Sequence, residues 1–111
     1  MHERPIVKAT DADRHENDDF GITYEVLSVG PTSMVTKMLY EDGDRVPEHS
    51  HESEQSGFVV SGRIRLVFES HDEVLEAGDG YTIPGNVTHQ IDVLEPGEVI
   101  DVFTPLRADL L

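Results

Sequence analysis

The chain has 111 residues with no cysteine and no tryptophan, and 23 Asp plus Glu against 8 Lys plus Arg give a formal charge of −15. That length suits one domain, and the missing thiols exclude disulfides and thiolate-held metals. The negative field argues against nucleic acid and anionic membranes as partners.

No apolar run approaches the ~20 residues of a membrane span, and the start "MHERPIVKATDADRHENDD" lacks the apolar stretch of a secretory signal. The expectation is a soluble cytoplasmic protein. Lys8 and Lys37 are the only lysines. Acidity with scarce lysine points to a salt-rich cytoplasm (a halophilic chain), with a plain acidic surface as the alternative.

Residues 1–20 read as a polar N-terminal arm, in which Ile6 and Val7 offer a short edge strand. Residues 21–111 read as the folded domain. Short β-type segments follow at 22–28, 33–41, 57–61, 63–69, 73–77, 80–84, 89–95 and 98–104, divided by Gly, Pro and Asp signals. Alternation is clearest in Ile64, Leu66 and Phe68 against Arg63, Arg65 and Glu69, which predicts a strand buried on one side. Only "RADLL" at 107–111 suggests a turn of helix. The pattern predicts a single all-β sandwich or barrel, with no repeat and no βαβ unit.

Of six histidines, His2, His15 and His71 lie in the arm or a hairpin and suit surface or structural roles. His49 and His51 differ. On a strand, positions i and i+2 share a face, so both imidazoles converge. The same period puts Gln55 inward and turns Glu52 and Glu54 outward, which predicts an amide oxygen as the next ligand. In the last segment Val99, Asp101 and Phe103 share one face. A lone aspartate among apolar strand residues is costly to bury without a partner. Asp101 is either solvated, paired with Arg107, or functional.

Two blocks frame the histidines. Gly43, His49, His51, Gln55 and Gly62 form the first; Gly78, Pro84 and His89 form the second. These blocks resemble the two motifs of the cupin superfamily, small β-barrels (double-stranded β-helix, or jelly roll) with a metal near the centre. Gln55 stands where glutamate is usual, Asn86 where glycine is usual, and Val93 where asparagine is common. The resemblance implies His49, His51, Gln55 and His89 as ligands of one divalent transition metal ion. Imidazole and oxygen donors suit Zn, Ni, Mn, Fe or Co. It also implies a homodimer.

The tail Asp101, Phe103, Pro105, Arg107 and Asp109, with Gln55, is similar to a narrower cupin group, the KdgF type of pectin and alginate breakdown. That group converts a 4,5-unsaturated monouronate to its linear keto form. The resemblance implies Asp101 as the proton-transfer group and Arg107 as the clamp on the carboxylate of an anionic sugar acid. Phe103 would pack beside the sugar. The alternatives are a non-catalytic small-molecule-binding cupin and a metal-dependent dioxygenase, which usually favours the glutamate that Gln55 replaces.

Overall fold

A computed structural model describes residues 3–111, so His2 lies outside the described residues. Ten strands follow in chain order: β1 Asp13–Glu16, β2 Thr23–Val29, β3 Met34–Tyr40, β4 Arg45–His49, β5 Glu54–Val59, β6 Arg63–Phe68, β7 His71–Glu76, β8 Gly80–Ile83, β9 His89–Glu95 and β10 Gly97–Thr104. Single 3-10 turns occupy Ala9–Asp11 and Ala108–Leu110, the second where the tail predicted one. Six strands form a sheet in the order β1-β2-β3-β10-β5-β8, and four form a second in the order β4-β9-β6-β7. Every pairing is antiparallel. The all-β expectation holds.

Alternation does the sorting. In β10, Val99, Asp101 and Phe103 face inward at 0, 1 and 1 % exposure, while Ile100, Val102 and Thr104 face out. The interior divides into two apolar clusters. One packs Val59, Ile64, Leu66, Ile83, Ile91 and Val99 between the sheets. The other gathers Tyr24, Val26, Met34, Phe103 and Leu110 near the C-terminal turn. A cavity lined from both clusters lies between them.

Two strands escape the sequence reading. β1 is all polar, Asp-Arg-His-Glu, and side-chain pairs hold it to β2: Arg14 donates to Glu25 at 2.9 Å, and His15 stacks on Tyr24. Hydrophobic periodicity has no purchase on such a strand. Ile6 and Val7 are not in a strand; β1 takes the edge, with a bridge from Arg4 to Val29 beyond it. β4 carries Pro47, which reads as a breaker but is tolerated because β4 is an edge strand.

The turns after β5 and β9 pack against each other. Gly62 sits at φ +84°, and a Cβ there would come within 2.6 Å of the Pro96 carbonyl oxygen. Gly62→Ala therefore meets both left-handed strain and a backbone clash, and we expect a loss of about 2 to 4 kcal/mol. Urea unfolding measures it; an unchanged midpoint would mean the two turns separate at no cost.

Candidate functional site

β4 and β9 pair so that His49 lies opposite His89. His51 follows in the loop between β4 and β5, not on a strand, which corrects the sequence argument for Gln55. The chain leaves the four-stranded sheet at His49 and enters the six-stranded sheet at Glu54. β5 restarts the alternation in the same phase, so Gln55 is buried while Glu52 and Glu54 are exposed. Gln55 faces inward as expected, but for a different reason: the two halves of the motif come from opposite sheets.

The ring nitrogens of His49, His51 and His89 offer one atom each within 4.8 Å of one another. Every Nδ1 lies on a main-chain carbonyl two residues away, that of Pro47 at 3.0 Å, Ser53 at 2.9 Å and Val87 at 2.8 Å. Those carbonyls accept from Nδ1–H, so the tautomer they select leaves each Nε2 a lone pair. Burial lowers the pKa of all three, that of His89 to about 4. The rings stay neutral where a free imidazole begins to take a proton.

Two details fit a cation. His89 Nε2 is buried with no hydrogen-bond partner among the described residues. His51 Nε2 lies 3.1 Å from Gln55 Oε1. With Nδ1 protonated these are two acceptors face to face, a contact that a shared cation makes favourable. Three histidines are thus positioned to hold a metal ion, and the borderline donor set fits one.

The loop beneath is tightly held. Asn86 N–H donates to the His51 carbonyl at 2.7 Å, and a Cβ on Gly85 would come within 2.3 Å of the Glu52 carbonyl oxygen. Asn86, where the motif usually has glycine, sits at φ +62°. Asparagine tolerates the left-handed region better than most residues, so the departure keeps the backbone.

Across the cavity Asp101 is neither solvated nor paired with Arg107. It is 1 % exposed, and its Oδ1 accepts from the Tyr81 hydroxyl at 2.5 Å. Oδ2 is buried without a partner. Burial raises the Asp101 pKa from 3.8 to about 6, opposed by Tyr81, the Gln55 amide and Arg107. Phe103 lies two residues on along the same face. The Arg107 guanidinium stacks 5.2 Å above its ring and donates from Nη2 to Asp109 at 2.8 Å, leaving Nε buried and unpartnered.

The cavity is open to solvent, and its free volume of about 40 Å³ is room for an ion and its water. Gln55, His49, His89, Asp101, Phe103 and Arg107 all line it. Sequence reasoning missed four other groups. Asn17 and Phe20, from the segment read as an arm, form part of its lining, with Phe20 5.7 Å from His49. Phe20 beside Gly21 in a polar run was the available signal. Tyr40 lines the cavity from β3, and Ser53 donates to the Pro105 carbonyl at 2.6 Å, tying the His51 loop to the segment that carries Arg107. His15 and His71 lie outside the cluster, against Tyr24 and Phe68.

A folded-state pKa above the unfolded one means Asp101 costs stability once pH exceeds both. Asp101→Asn keeps an acceptor for Tyr81 and carries no charge. In chelator-treated protein we expect it to gain up to about 3 kcal/mol at pH 7.5, and only about 0.5 kcal/mol at pH 4, where the folded carboxyl is protonated and the unfolded one is about half ionised. Urea titrations at the two pH values measure this; equal gains at both would exclude ionisation as the cause.

Comparison with known proteins agrees with this geometry. The Cupin domain family matches residues 36–103. The pectin degradation protein KdgF of Dickeya dadantii is 31 % identical over 93 residues, covering 82 % of this chain and 84 % of that protein. The structure of KdgF from a Halomonas species superposes with a TM-score of 0.85 at 29 % identity, covering 96 % of this chain and 97 % of that one. An RmlC-like cupin from Shewanella frigidimarina superposes with a TM-score of 0.88 at 25 % identity over 98 and 97 % of the two chains. With two antiparallel sheets around a three-histidine cluster and these relatives, the chain belongs to the cupin superfamily, in its KdgF-like branch.

Proposed function

We propose that this protein is a metal-dependent isomerase that opens a 4,5-unsaturated monouronate to its linear keto form. One observation carries the reading: a buried carboxyl with a free oxygen, Asp101 Oδ2, shares a small cavity with a three-histidine cluster and Arg107. The kinship to a pectin degradation protein supports the substrate class.

His49, His51, His89 and the Gln55 amide oxygen would hold the ion. When bound, it supplies Lewis acidity to the substrate oxygens facing it. The chain's residues do the rest. Arg107 binds the substrate carboxylate with parallel hydrogen bonds, stacked on Phe103, which keeps water from that side. Asp101 Oδ2 takes the proton from the hydroxyl on C1. The bond from C1 to the ring oxygen breaks, leaving an aldehyde at C1 and an enolate oxygen on C5. Asp101 returns its proton to C4, and the enolate becomes the ketone. One proton leaves oxygen and one reaches carbon, so no co-reactant is consumed. A pKa near 6 suits a group that must both take and give a proton at neutral pH.

The test is the loss of the conjugated enol's ultraviolet absorbance on zinc-, nickel- or manganese-loaded protein with a freshly released unsaturated monouronate. We expect decay faster than the spontaneous rate, abolished by chelator. Asp101→Asn should lower kcat at least about a hundredfold with metal retained, and Arg107→Lys should raise KM at least about tenfold. No acceleration with metal demonstrably bound would sink the reading and leave a binding module.

The homodimer also belongs to this reading. β10 runs apolar on both faces, Ile100 and Val102 outward beside Phe58 and Val60, the last two 49 and 45 % exposed. A strand apolar on both sides expects cover on both. A second copy would bury this face, with the Glu25–Lys37–Glu98 ion pairs at its rim. Sedimentation should give a dimer that Phe58→Glu turns into a monomer; a monomeric parent protein would exclude it.

A further inference from the structure

The Tyr81 hydroxyl bond to Asp101 has an architectural cost that a filler would not need. Asp101, Gly57 and Tyr81 occupy one row across β10, β5 and β8, each opposite the next. To reach Asp101, the Tyr81 side chain crosses over Gly57. A Cβ built on Gly57 would lie 2.1 Å from Tyr81 Cζ and 2.4 Å from its hydroxyl. No L side chain larger than glycine's hydrogen leaves room for that crossing. The bond it permits is 2.5 Å long, against an acceptor otherwise sealed from water. It occupies Oδ1 and leaves Oδ2 as the one unpartnered oxygen of the carboxyl. Tyr81 itself does not line the cavity.

We infer that Tyr81, reaching across the Gly57 slot, is the positioning residue that fixes the Asp101 carboxyl so that Oδ2 alone is presented to substrate. The inference rests on the isomerase reading above and deepens it. A carboxyl at the end of a short side chain can rotate and exchange its two oxygens. The hydroxyl pins one oxygen in the sheet and aims the other, and misaiming a proton-transfer atom by about 1 Å costs on the order of a hundredfold in rate. Gly57 belongs to the device because it holds the space, not because its backbone is unusual.

Tyr81→Phe removes only the hydroxyl and keeps the ring in the slot. On the uronate substrate we expect kcat to fall about ten- to a hundredfold, with KM and bound metal within twofold of the parent. Gly57→Ala should reproduce the kcat loss by displacing the ring. An activity-independent readout accompanies these. Zinc-loaded parent protein should show a strongly downfield hydroxyl proton by NMR, lost in Tyr81→Phe and Gly57→Ala and moved upfield in Asp101→Asn, whose amide oxygen is a weaker acceptor. Parental kcat in Tyr81→Phe would overturn the inference. So would a fall in which KM and metal content move with kcat, since that marks general loosening. If the parent protein leaves every unsaturated uronate untouched, the isomerase reading has failed. The NMR signal then decides the pairing by itself, and its absence from the parent overturns it.

Discussion

Placing an aspartate in the middle row of a six-stranded sheet, on the face turned to the interior, constrains everything around it. β10 lies between β3 and β5, so neither side of Asp101 opens to water. A carboxylate in such a place needs a donor or a nearby cation, or it takes up a proton. Tyr81 provides the donor on one side. On the other, three imidazoles turn their free nitrogens into the same space. Burial pushes the two kinds of group in opposite directions, making the histidines harder to protonate and the aspartate harder to ionise. Both shifts minimise charge in an enclosed volume, and both prepare that volume for a cation.

The sandwich serves this arrangement. The four-stranded sheet brings His49 and His89, the six-stranded sheet brings Gln55, Asp101 and Phe103, and the loop between β4 and β5 delivers His51. A core filled throughout with aliphatic side chains would be more stable. Here the apolar filling is split in two around a polar cavity, and the backbone carbonyls of Pro47, Ser53 and Val87 are spent on orienting rings. Stability given up where a site is built is a general expectation.

Much of this could be read from the sequence, and the exceptions have physical causes. Alternation in β6 and β10 announced which side chains turn inward, because those strands bury one face against the core. The HxH pair with Gln55 and His89 marked the cluster, although the reasoning assumed a continuous strand where the chain crosses between sheets. β1 stayed invisible because polar side-chain pairing, not burial, holds it. Tyr81 and Gly57 were missed for a related reason. Their relation runs across strands that are neighbours in space but 24 residues apart in sequence, and periodicity along one strand carries no information about what crosses it. The cavity depends likewise on Asn17 and Phe20 meeting Arg107 and Leu110, some 90 residues further along the chain.

The position of β10 has a consequence for how the protein is made. Its residues, Gly97–Thr104, are synthesised after the other nine strands described, yet they sit in the interior of the larger sheet with β3 on one side and β5 on the other. During translation the earlier strands emerge as two unjoined blocks, β1-β2-β3 and β5-β8, each with an unsatisfied edge facing the gap that β10 will fill. His49, His51 and His89 all leave the ribosome before the wall that bears Asp101 exists. Assembly of the site therefore waits for β10, and a nascent chain that meets a metal ion early meets only part of its pocket.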